Sequence, residues 1–97
     1  MNRQEHILTI VAEECAEIAQ SASKALRFGL DEIEPGEDDD NFERMLAEFA
    51  DLCGVLELVR PGASIEGMTK ALRPKINAKK DRVESFLSYS KERGTLS

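Results

Sequence analysis

Tryptophan is absent, and four Phe and one Tyr supply all the aromatic surface, so the core must be built from Leu, Ile, Val, Ala and Met. A single histidine, His6, and two cysteines, Cys15 and Cys53, form no CxxC or Cys/His cluster, which excludes the usual zinc ligand sets. Both cysteines read as small core residues on facing helices. No run approaches the ~18 apolar residues of a membrane span. The opening MNRQEHILTI also lacks a signal-peptide hydrophobic region, so a cytoplasmic protein without a membrane partner is expected. Basic residues are the minority, 13 against 19 acids, and a net charge of −6 argues against stable nucleic-acid binding. With 97 residues, 41% hydrophobic and 33% charged, residues 1–97 are expected to fold as one domain.

What is present is helical punctuation. Asn2, with Glu5 three residues on, caps a first helix that runs to Phe28 and stops at Gly29. An acidic connector over 29–40 follows, broken by Pro35 and Gly36. Its Glu37-Asp38-Asp39-Asp40 run lacks the Gly at position six and the Glu at position twelve of a calcium loop, so it reads as a solvated helix-capping segment. Asp40 with Glu43 caps a second helix that ends before Pro61-Gly62. Ser64 opens a short third helix to Leu72, and Pro74 starts a fourth, from about Lys75 to Lys91, leaving 92–97 as a flexible tail. No alternating strand pattern appears. The expected class is all-α, a four-helix bundle with two long antiparallel helices.

At ~100° per residue, Ile7, Val11, Ile18, Ala22 and Ala25 share one stripe of the first helix, and Glu14 falls in its middle. Glu17 lies on its flank. The second helix repeats the design: its stripe is Met45, Phe49, Leu52, Leu56 and Val59, and Glu48 lies between Val55 and Val59 in projection, with Asp51 at the edge. Glu is a good helix former, and each pair alone reads as a solvated face. Two pairs that both intrude on apolar arcs are harder to leave to solvent, because an unpaired buried charge costs several kcal/mol or more. In an antiparallel hairpin the four carboxylates meet at one level, where a hard divalent cation neutralises them. Oxygen-only ligands favour magnesium, or manganese in its place, over zinc or copper.

Those residues carry a resemblance. Glu13-Glu14-Cys15-Ala16-Glu17 with Glu48-Phe49-Ala50-Asp51 resembles the E-E-x-x-E … E-x-x-D signature of the MazG-like all-α nucleoside triphosphate pyrophosphohydrolases. The superfamily includes dimeric dUTPases and the phosphoribosyl-ATP pyrophosphatases. The helix–connector–helix frame and the downstream KINAKKDR extend the likeness over most of residues 5–88. The resemblance implies that Glu14, Glu17, Glu48 and Asp51 hold magnesium. It also implies that a nucleoside triphosphate is cleaved between its α and β phosphates, for nucleotide housecleaning or control of deoxynucleotide pools. Glu13 or Glu17 is then the candidate general base. Lys24, Arg27, Lys79 and Lys80 are the candidate phosphate ligands, and His6, Ile10 and Phe28 the candidate base and sugar contacts. The connector is longer and more acidic than in compact members, and there is no Trp to stack on a base.

Apolar residues outside the main stripes, among them Leu26, Leu46 and Leu58, point to a homodimer or homotetramer that completes the bundle. The competing reading is a non-catalytic helical interaction module whose acid clusters are structural. A di-iron carboxylate bundle is set aside, because it needs Glu-x-x-His motifs on two helices.

Overall fold

The computed structural model describes residues 1–97 and is all-helical, with three helices: α1 (Arg3–Phe28), α2 (Asn41–Val59) and α3 (Ile65–Glu92). None is long and apolar enough to cross a membrane. The chain divides into two compact units, Met1–Ile65 and Glu66–Ser97.

In the first unit, each helix starts where its side chains can satisfy otherwise unpaired N–H groups. Asn2 Oδ1 accepts from the Glu5 N–H at 2.8 Å, and Asn2 Nδ2 donates to Glu5 Oε1 at 3.2 Å. Asp40 and Glu43 form a full capping box: the Glu43 N–H donates to Asp40 Oδ1 at 2.8 Å, and the Asp40 N–H to Glu43 Oε1 at 3.2 Å. Gly29 ends α1 at φ 104°, a left-handed-side value that side chains with a Cβ rarely adopt, and its N–H donates to Ala25 O.

α1 and α2 pack on each other as an antiparallel hairpin. The connector holds its ends together: the Asn41 N–H donates to Glu32 O at 3.1 Å, and the Phe42 N–H to Leu30 O at 3.1 Å. Asn41 itself is buried, and its Nδ2 donates to Gly29 O at 2.7 Å. On α1, Ile7 is buried, and Val11, Glu14, Ile18, Ser21 and Ala25 are half-buried at the i, i+3, i+4 spacing of one helical face. On α2, Met45, Glu48, Leu52, Leu56 and Val59 follow the same rule. Phe49 and Ala22, expected in these stripes, are exposed at their margins. Leu26 is 86% exposed, and Leu46 and Leu58 are also open to solvent. After α2, Glu57 Oε2 accepts the Ile65 N–H at 2.9 Å, where the next helix begins.

The second unit is built on α3, and here the structure differs from the sequence expectation. Pro74 lies inside one continuous helix of 28 residues, so the third and fourth helices expected on either side of it are a single element. Proline removes one N–H and crowds the preceding turn, a cost of about 3 kcal/mol in a helix interior. The carbonyl it leaves unpaired, that of Lys70, lies on an exposed stretch where water can bond it. At the other end Gly94 (φ 80°) turns the chain, and the N–H groups of Thr95 and Leu96 donate to Ser90 O at 2.9 and 3.2 Å.

Candidate metal and phosphate site

Glu14 and Glu17 project from α1 three residues apart, hence from one side of the helix, and Glu48 reaches them from α2. One carboxylate oxygen from each lies within 4.8 Å of the others. Glu14 and Glu48 are half-buried and Glu17 is exposed, so the trio sits at the edge of the helix–helix seam. Glu14 Oε2 and Glu48 Oε2 are both shielded from solvent and have no hydrogen-bond partner. Such orphaned oxygens are rare, because each forfeits its hydration without replacement.

The electrostatics follow from that crowding. A side-chain hydrogen bond with Glu17 holds the Glu48 carboxyl above the usual carboxylate range. Loss of water and the negative charges of Glu17 and Asp51 push it the same way, while Arg44 opposes them. The cluster therefore invites positive charge, as a shared proton or as a cation. All the donors are carboxylate oxygens, the chemistry that suits magnesium or manganese. Oxygens bound to one magnesium stand about 3 to 4 Å apart, so the trio is close to the required spacing before any side chain moves. The residues present fit such an ion.

Asp51, the fourth expected ligand, is exposed on α2 one turn beyond Glu48, near enough for its charge to act on that carboxyl. Glu13 is exposed on α1. His6 is exposed and Ile10 half-buried, two turns and one turn from Glu14 toward the start of α1. Lys79 and Lys80 are exposed on α3, in the second unit.

A cavity of about 250 Å³ adjoins the cluster, lined by Glu17 and Glu48 at one end and by Ser21, Lys24, Asn41 and Arg44 beyond. Two cations thus face the same space as two of the carboxylates. Lys24 was expected there; Arg44 was not. Arg44 lies one turn before Glu48 on the same face of α2, and that i, i+4 relation is the signal by which the sequence marks it. Its guanidinium Nη1 also contacts Glu34 Oε2 of the connector at 2.8 Å. The ion pair holds the Glu34 carboxyl below its ordinary range and raises Arg44. Arg27, another of the four expected phosphate ligands, stacks its guanidinium 4.9 Å from the centre of the Phe28 ring.

Compared with protein-family models, with curated proteins and with solved structures, the chain has no match.

Proposed function

We propose that this chain is a magnesium-dependent nucleoside triphosphate pyrophosphohydrolase of the MazG-like type, converting (d)NTP and water to (d)NMP and pyrophosphate. One observation carries the reading. Three carboxylates from two helices converge with two of their oxygens dry and unpartnered, beside a cavity that also presents Lys24 and Arg44. A patch of acids alone needs no ligand. Acids that face a cation-lined trough suit a polyphosphate bridged to them by a divalent ion.

Glu14, Glu17 and Glu48 would hold the metal, with Asp51 completing the set. When bound, magnesium neutralises triphosphate charge and lowers the pKa of a coordinated water. Lys24 and Arg44 bind the remaining phosphate charge and orient the chain of phosphates along the trough. Glu17, at the solvent edge of the cluster, accepts the proton of the attacking water, with Glu13 the alternative base. The water oxygen bonds to the α phosphorus and stays in the monophosphate, the bond from that phosphorus to the α–β bridging oxygen breaks, and pyrophosphate leaves with the bridging oxygen.

The exposed Leu26, Leu46 and Leu58 support a dimer or dimer of dimers in which the α1–α2 hairpins of two copies make a four-helix bundle. A cytoplasmic enzyme with a nucleotide substrate, and with neither membrane nor nucleic acid as partner, fits this reading.

The test is a panel of ribo- and deoxyribonucleoside triphosphates with magnesium, products resolved by ion-exchange chromatography. Monophosphate and pyrophosphate are expected, with loss of turnover in folded Glu48→Gln. Diphosphate and orthophosphate would overturn the cleavage position. No turnover across the panel would sink the enzyme reading and leave the interaction module.

A further inference from the structure

The trough does not end at the phosphate-sized cavity. Lys24 and Asn41 also line a second one, of about 410 Å³, at the connector end of the hairpin. That volume lies within the range of small-molecule sites, roughly 300–1,000 Å³. Its walls differ in kind from those of the first. Phe28 and Pro35 give it apolar surface, and the half-exposed Phe28 ring with the Arg27 guanidinium against it offers the flat surfaces on which bases stack.

Two carboxylates reach this cavity, and they are not equivalent. Glu34 is engaged by Arg44 at 2.8 Å. Glu32 is half-buried, and its Oε1 meets Asn41 Nδ2 at 3.5 Å, the outer limit of a hydrogen bond, while that amide donates to Gly29 O at 2.7 Å. A carboxylate has about four acceptor positions and no donor, so Glu32 retains capacity for N–H groups and repels carbonyl oxygens.

We infer that the connector cavity is the nucleoside subsite, that the base stacks on Phe28, and that Glu32 selects bases carrying an exocyclic amine. Cytosine, adenine and guanine offer that amine; uracil and thymine offer carbonyls and one ring N–H between them. Glu and Asp accept from cytosine N4 where proteins read bases in DNA, which is the same donor–acceptor pairing. The inference rests on the nucleotide reading above and adds a substrate class to it. With the nucleoside at the connector end, the phosphates run past Lys24 toward Glu17 and Glu48, which puts the α phosphate first in line.

The experiment compares CTP with UTP, and dCTP with dTTP, on the full chain, by kcat/KM with magnesium and by calorimetric binding of the α,β-methylene analogues. A preference of roughly 10-fold for the amine-bearing base is expected. Glu32→Gln should bring the pairs toward parity, because an amide offers a donor and an acceptor alike. Phe28→Leu should weaken all four nucleotides together while leaving the preference intact, which separates stacking from selection. Equal kcat/KM for C and U, or a preference untouched by Glu32→Gln in a variant with the wild-type circular dichroism, overturns the inference and leaves the hydrolase standing. Amine-selective binding that Glu32→Gln abolishes, in a chain that hydrolyses nothing, supports the subsite and overturns the enzyme. Absence of both binding and turnover overturns both.

Discussion

Arg44 Nη1 lies 2.8 Å from Glu34 Oε2, tying the connector to the helix that carries Glu48 one turn further on. The same arginine lines the cavity beside the carboxylate cluster, so it links the loop and the site through one guanidinium. Removing it tests the link directly. In Arg44→Gln, the Glu34 carboxyl should titrate above where it does in the wild type, as followed by carbon NMR of the side chain. Both partners are partly exposed, so the change in melting temperature should be small.

The Glu48 carboxyl is raised in the folded protein, and the sign of its effect on stability follows. The folded state holds that proton more tightly than the unfolded state, so its contribution is fully present below the unfolded value of 4.5 and is lost as pH rises through the folded value. In metal-free protein, Glu48→Gln should therefore melt above the wild type at pH 7. The gap should close as pH falls below 4.5. Thermal scans across that range in a chelating buffer measure it.

Divalent ions should reverse the order. A cation held only by the native state stabilises by mass action, about 2.7 kcal/mol at one hundred times its dissociation constant. Magnesium or manganese should raise the wild-type melting temperature and leave Glu48→Gln unmoved. A wild type indifferent to both ions would remove the metal from the site.

Asn41 is buried and bonds Gly29 O at 2.7 Å across the mouth of the hairpin. Asn41→Ala should cost about 1–3 kcal/mol in urea unfolding, the penalty for leaving a shielded partner unsatisfied. The loss should appear in midpoint rather than slope, because the surface exposed on unfolding hardly changes.

Pro74 interrupts the bonding ladder of α3. Pro74→Ala restores the N–H that would reach Lys70 O. It should increase ellipticity at the helix minimum and stabilise the chain by up to about 3 kcal/mol. A loss of helicity would mean that proline is needed where it stands.

Much of this arrangement is written locally. Asn2, Gly29, Asp40 and Glu43 mark the ends of α1 and α2 because caps act on the nearest turn. Glu14 and Glu48 were legible as inward carboxylates because helical periodicity depends on spacing alone. Phe49 was placed too far inward, since its projected angle lies at the boundary of the buried arc and the width of that arc is set by the packing partner. Pro74 misled because its penalty is local, while the gain from the turns on both sides of it is cumulative. The parts played by Arg44 and Glu32 are not legible in spacing alone. Their roles depend on where the connector returns, and hydrogen bonds from Asn41 and Phe42 to Glu32 and Leu30 determine that path.

Those same bonds confine change to a small part of the chain. Between the last of them and the Asp40 cap, residues 35–39 form a tip whose backbone bonding is the single link from Glu37 N–H to Glu34 O. Lengthening a loop costs little, about 0.6 kcal/mol per doubling. Insertions at Asp38 should therefore be absorbed without loosening the hairpin, whereas one residue added between Gly29 and Glu32 would throw the seam out of register. A longer tip would then reshape the rim of the connector cavity, which Pro35 lines, and leave Glu14, Glu17 and Glu48 where they are.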